Sequence, residues 1–150
     1  MIERHPMDSP RKKPSPDEVG RHAIFSRIAG FLSSQHSDIL AAYVFGSFAR
    51  REDFGDLDVA VLMEAPPEGA LAFELKLERD LEKLMRLSVD VRILNSAPQP
   101  FQYNVIREGV VLVDRDPNRR AAFEGNVIKQ YLDFSRFRSR CLKEVAHAEI

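Results

Sequence analysis

One cysteine, Cys141, is too few for a disulfide within the chain or for a cysteine-cluster zinc site. It falls in a predicted helix beside Leu142 and Val145, where a packed thiol is the expectation. Charge of one sign is also missing. Lysine and arginine number 22 against 23 aspartates and glutamates, a formal net charge of -1, so no global basic field draws the protein onto nucleic acid. No apolar run approaches the roughly 20 residues of a membrane span, and the first residues lack the apolar core of a signal peptide. These absences predict a cytoplasmic protein with no membrane partner and no strong nucleic-acid binding.

A chain of 150 residues suits one domain around one core. Residues 1–16 read as a tail. The run Arg11-Lys12-Lys13-Pro14-Ser15-Pro16 follows Pro6 and Pro10, a basic, proline-broken stretch with too little apolar surface to fold. The domain is therefore expected over 17–150. Its first helix, Asp17 to about Gln35, places Ile24, Ile28, Phe31 and Leu32 on one face. A strand is predicted over Ile39–Phe45, and a second after Asp56. The turn cluster Glu64–Gly69 precedes a helix from Ala70 to Arg86. Leu71, Leu75, Leu81, Leu84 and Met85 are expected to form most of its buried face, and Glu78 and Glu82 a solvated one. A third strand spans about Ser88–Leu94. Pro98 opens a short helix with Phe101, Val105 and Ile106 inward, and Gly109 is expected to end it as helix-terminal glycines commonly do. After a short strand at Val110–Val113, Pro117 begins a long last helix with Phe123, Val127, Tyr131, Phe134, Cys141 and Val145 along one stripe.

Chemistry concentrates in one segment. The apolar run Ala41-Ala42-Tyr43-Val44-Phe45 leads into Gly46-Ser47, and after eight intervening residues Asp56-Leu57-Asp58 opens another apolar run. Residues i and i+2 of a strand share a face, so Asp56 and Asp58 would project together. Paired carboxylates resist joint ionisation unless a cation sits between them. Magnesium is the expected cation, because it prefers oxygen ligands and is held by one or two carboxylates plus substrate phosphates. Asp90, inside the apolar strand of about Ser88–Leu94, is costly to bury unpaired. If that strand lies beside the one that Asp56 and Asp58 open, three carboxylates could hold two metals about 3.5–4 Å apart, as in phosphoryl and nucleotidyl transfer.

The order strand, Gly-Ser, spacer, Asp-x-Asp, later aspartate on a strand resembles the minimal nucleotidyltransferases of the DNA polymerase beta superfamily. The resemblance spans roughly residues 20–145. It is greatest to members that act as antitoxins beside HEPN-domain toxins, through Leu94-Asn95-Ser96-Ala97-Pro98, the stretch Val105–Asp116, and Tyr131-Leu132-Asp133-Phe134. The spacer from Phe48 to Gly55 is eight residues where ten is usual, which predicts a shortened helix or turn after Ser47.

The resemblance implies an α/β (α+β) nucleotidyltransferase fold: a small mixed sheet with helices packed against it and a long C-terminal helix. It implies transfer of AMP from ATP to a hydroxyl, with two Mg²⁺ ions held by Asp56, Asp58 and Asp90. Asp90 would also help to deprotonate the acceptor. Gly46, Ser47 and nearby backbone N–H groups would bind the triphosphate, and Arg50 or Arg51 would contact phosphate. The implied acceptor is a tyrosine of a HEPN ribonuclease toxin. Two alternatives remain open at this point. One is a catalytically weak antitoxin that neutralises its toxin by occlusion; the other is a small-molecule nucleotidyltransferase of the aminoglycoside type. The last helix is longer than a small body needs. Phe134 and Phe137 with Arg136, Arg138, Arg140 and Lys143 make its end a candidate contact in a homo- or hetero-oligomer.

Overall fold

The computed structural model describes residues 12–148. Helices and strands alternate: α1 (Glu18–Gln35), β1 (Ile39–Phe45), α2 (Gly46–Ala49), β2 (Leu57–Met63), α3 (Ala70–Met85), β3 (Val89–Ile93), α4 (Gln99–Glu108), β4 (Val110–Asp114) and α5 (Pro117–Ala148). The strands form one mixed sheet in the order β3-β2-β1-β4. β1 runs antiparallel to both β2 and β4, whereas β2 and β3 are parallel, joined through α3. The expected mixed sheet with packed helices and a long last helix is what forms.

Strand alternation divides the apolar residues between two layers. On one face Ala42, Val44, Leu57, Val59, Val61, Val89, Val91 and Ile93 pack under α1 and α3. On the other, Leu40, Ala41, Tyr43, Ala60, Leu62 and Leu94 meet Val105 of α4, with Phe101 and Phe123 alongside. The side chain of Asp17 caps α1 by accepting from the Gly20 N–H at 2.8 Å. Asn95 ties the loop after β3 to the end of β2, accepting from Met63 N at 2.8 Å and donating to its carbonyl at 2.9 Å.

Several local expectations change. In α3 the buried residues are Leu77, Leu81 and Met85; Leu71 and Leu75 are exposed. Glu78 and Glu82 are not a solvated face: with Glu74 they accept from backbone N–H groups at the β3 edge of the sheet. Gly109 ends α4 as expected, but with a φ of -72° rather than in the left-handed conformation. A side chain there would collide with the Val105 carbonyl of α4 while meeting Tyr43 of β1 at an ordinary 3.4 Å, so the approach of the helix's own carbonyl is what requires glycine. Of the proposed tail, residues 1–11 lie outside the described residues. Lys13 forms an antiparallel bridge with Phe54, its N–H donating at 2.8 Å and its carbonyl accepting at 2.9 Å.

The first half of α5 is anchored to the sheet. Tyr43 Oη donates to Glu124 at 2.8 Å, and Arg120 joins Glu124 at 2.9 Å to Asp114 at 3.0 Å. Tyr131 stacks on Tyr103 of α4 with ring centroids 3.8 Å apart. From Leu132 through Ala146 every side chain is exposed. Cys141 is therefore exposed rather than packed, because the helix has run past the body that would cover it. Phe134 and Phe137 are 57% and 64% exposed, so neither caps the sheet. Among the described residues no helix is long and apolar enough to cross a membrane.

Candidate active site

The sheet register brings the proposed residues together. Asp58 of β2 stands opposite Phe45 of β1 on one side and Asp90 of β3 on the other. Residues aligned across a sheet share a face, so Asp58 and Asp90 project from the same surface, away from buried Leu57, Val59, Val89 and Val91. Asp56 lies just before β2 and is exposed. Its charge reaches Asp58 nonetheless. The Asp58 carboxyl is pushed up to about 6, first by burial, then by repulsion from Asp90 and from Asp56, with Arg50 acting in the opposite sense.

Gly46 closes the site from the side of β1. Its φ of +75° lies in the left-handed region, and a Cβ built there would strike the Asp58 carboxylate. Chain direction reverses here through α2, which is only four residues long. Ser47 is half-buried in α2, and its carbonyl accepts from Glu52 N at 3.0 Å.

The two arginines part company. Arg50 is braced by Glu52 at 3.1 Å and Glu108 at 3.0 Å, and its charge acts on Asp58. Arg51, in a left-handed conformation at φ 62°, pairs with Glu18 at the start of α1 and is not among the charges acting on Asp58. A third arginine supports the site without having been anticipated. Arg21 is buried, and it donates to the carbonyls of Phe48 at 2.5 Å and Ala49 at 2.9 Å, fixing the end of α2. Burial lowers its pKa. The available signal was positional: Arg21 continues the stripe of Ile24, Phe25 and Ile28 at helical spacing.

Asp58 carries a testable pH dependence. Its folded pKa is raised to about 6 above the unfolded value of roughly 3.9, so the folded state disfavours its ionised form. In metal-free protein the group destabilises the fold above about pH 6, and the penalty fades as pH falls through that value toward the unfolded pKa. Asp58→Asn should melt higher than wild type at pH 8 in chelator, with the gap closing toward pH 5. Thermal denaturation across that range measures it; a constant gap would show that Asp58 is not strained by its neighbours.

Residues 27–118 match the family described as "Polymerase beta, Nucleotidyltransferase". No curated protein sequence matches. Among solved structures, a tri-AMPylated Shewanella oneidensis HEPN toxin in complex with MNT antitoxin aligns with TM-score 0.66 and 21% identity, over 84% of this chain and 98% of the matched chain. A MntA-HepT toxin-antitoxin complex gives 0.65 and 20%, over 83% and 98%. A toxin-antitoxin structure with AMP-PNP gives 0.67 and 21%, over 81% and 98%. At these identities the structural likeness establishes the shared fold. The family match extends over more than half of the sequence and contains Gly46-Ser47, Asp56, Asp58 and Asp90; the chain belongs to the polymerase beta nucleotidyltransferase family.

Proposed function

We propose that the protein is a Mg²⁺-dependent protein adenylyltransferase that transfers AMP from ATP to a hydroxyl, a tyrosine of a HEPN ribonuclease toxin, and so acts as its antitoxin in the cytoplasm. The observation that carries the reading is the aligned pair Asp58 and Asp90, with Asp56 close enough to raise the Asp58 pKa and Gly46 against its carboxylate. The likeness to structures described as a MNT antitoxin with a tri-AMPylated HEPN toxin, and as a toxin-antitoxin with AMP-PNP, supports the choice of acceptor and nucleotide.

The donor set suits magnesium: hard, mutually repelling carboxylate oxygens, with Asp58 and Asp90 on one face. Among the described residues no group of three or more histidine, cysteine, aspartate and glutamate side chains stands ready to hold a metal alone. Substrate phosphates and water would complete the coordination. Asp56 and Asp58 would hold both ions and Asp90 the catalytic one. Bound magnesium supplies charge neutralisation at the α-phosphate and leaving pyrophosphate.

Gly46 gives the nucleotide's phosphates access to the backbone, and Ser47 with its N–H would contact them. Arg50 supplies positive charge; Arg51 would join it only by leaving Glu18. In the reaction the acceptor oxygen bonds to the α-phosphorus, the bond to the bridging oxygen of the β-phosphate breaks, and pyrophosphate departs. Asp90 helps to take the hydroxyl proton. ATP labelled at the α-phosphorus should label the HEPN partner, and ATP labelled at the γ-phosphorus should not. Equal labelling from both, or none from either, would overturn the assignment.

The free end of α5 is the proposed contact with the partner. Aromatic residues and arginine are favoured interface anchors, and Phe134 and Phe137 share a face three residues apart. Phe137→Asp should weaken the complex at least about tenfold. Its melting temperature should stay close to wild type, since exposed substitutions usually change stability by less than about 0.5 kcal/mol. Calorimetric titration together with a melting curve decides; a large melting loss at unchanged affinity would remove Phe137 from the interface.

A further inference from the structure

We propose that Glu78 and Glu82 of α3 are positioning residues for Asp90: they clamp the backbone on both sides of it and thereby set where its carboxylate stands. The proposal rests on the reading of Asp90 as a metal-binding carboxylate.

β3 is an edge strand, only five residues long, paired to β2 on one side alone. The N–H groups of Val89, Val91 and Ile93 point away from β2. Unpaired, such a row frays or recruits another strand. Here each group has a carboxylate partner from α3. Glu82 Oε1 accepts from Val89 at 3.1 Å, Glu78 Oε1 from Val91 at 2.9 Å, and Glu74 Oε1 from Ile93 at 3.1 Å. The helix runs against the strand, and the repeats nearly match. Four helical residues rise about 6 Å, and two strand residues advance about 6.6 Å. Carboxylate acceptors make these charge-assisted bonds, stronger than neutral ones.

Asp90 sits between the two amides held by Glu82 and Glu78. Its own carboxylate has only a loose companion in Arg92, at 4.0 Å. Its placement against Asp58 therefore depends on the strand backbone rather than on side-chain bracing. Glu74 belongs to the same ladder but holds Ile93, three residues farther along, and so serves as an internal control. A purely structural ladder would make all three glutamates equivalent. A positioning role makes Glu78 and Glu82 differ from Glu74 in metal dependence.

The experiment compares Glu78→Ala, the pair Glu78→Ala/Glu82→Ala, Glu74→Ala and Glu78→Gln with wild type. Three quantities are read: melting temperature, amide hydrogen exchange at Val89 and Val91 in metal-free protein, and ATP affinity titrated against Mg²⁺ by calorimetry. The pair should raise the Mg²⁺ requirement for ATP binding about 10–100-fold, the range for losing groups that orient metal ligands, and should speed exchange at Val89 and Val91. Glu74→Ala should lower the melting temperature comparably to Glu78→Ala yet leave the Mg²⁺ requirement within about twofold, since it does not touch the ligand's own segment. Glu78→Gln keeps a carbonyl acceptor and should recover most of the wild-type value. If the pair fails to fold, Glu78→Ala against Glu74→Ala decides alone. Equal Mg²⁺ requirements for those two variants would overturn the proposal. A wild type whose ATP binding ignores Mg²⁺ would instead overturn the reading of the site, with the exchange data still reporting whether the clamp exists.

Discussion

Asp56→Asn combined with Asp58→Asn should lower AMP transfer to the partner by at least about a thousandfold, because metal-assisted charge stabilisation is worth several kcal/mol and each ~1.4 kcal/mol is tenfold in rate. Asparagine nearly keeps the shape of each side chain while removing its charge. The fold should therefore survive. It should even gain stability in chelator above pH 6, since Asp58 is strained by burial and by its two acidic neighbours. The complex with the proposed HEPN partner should still form, because the proposed docking residues of α5 are exposed beyond the sheet. Intact-mass measurement of the partner should show no added AMP, and ribonuclease activity should return. If the double variant protected cells as well as wild type, neutralisation would be by occlusion and the carboxylates would be dispensable for it.

Gly46→Ala should also be strongly damaging, by a different route. Alanine at φ +75° is strained, at about 1–2 kcal/mol for a left-handed conformation. Its Cβ would also collide with the Asp58 carboxylate. Relief requires either the Gly-Ser turn or Asp58 to move. A displacement of about 1 Å at reacting groups costs on the order of a hundredfold in rate. The melting temperature should fall by roughly 2–8 °C, at 2–4 °C per kcal/mol for chains of this size. Transfer assays and melting curves on one preparation test both parts. Wild-type transfer by Gly46→Ala would show that the contact between Gly46 and Asp58 does not shape the site.

Both expectations draw on features that were legible in the sequence for physical reasons. Alternation along Leu57–Met63 and Val89–Ile93 separates two faces, so Asp58 and Asp90 stood out as polar residues on otherwise apolar strands. The parallel pairing that aligns them follows from the helical crossover between those strands. Caps and breaks at Asp17, the Glu64–Gly69 cluster and Pro117 marked the helix limits closely.

What the sequence concealed depends on tertiary placement. Acidic residues four apart on a helix look like a solvated face, and nothing local shows that an edge strand will offer them N–H groups. With that ladder facing β3, Leu77 is buried where Leu71 and Leu75 were expected. Arg50 and Arg51 are equivalent in sequence, but the left-handed turn at Arg51 sends its side chain to Glu18. The stripe along α5 is continuous in sequence, yet the body beneath it ends near Tyr131, leaving Phe134, Phe137 and Cys141 exposed. Helical periodicity gives a face and not the length over which something covers it.

The central claim is that Asp56, Asp58 and Asp90 form one metal-dependent nucleotide site, and calorimetric titration of ATP in Mg²⁺ and again in chelator tests it most directly. The account predicts tight binding with Mg²⁺ and an affinity at least about tenfold weaker without it, a difference of ~1.4 kcal/mol or more. Equal affinity in the two conditions would contradict it.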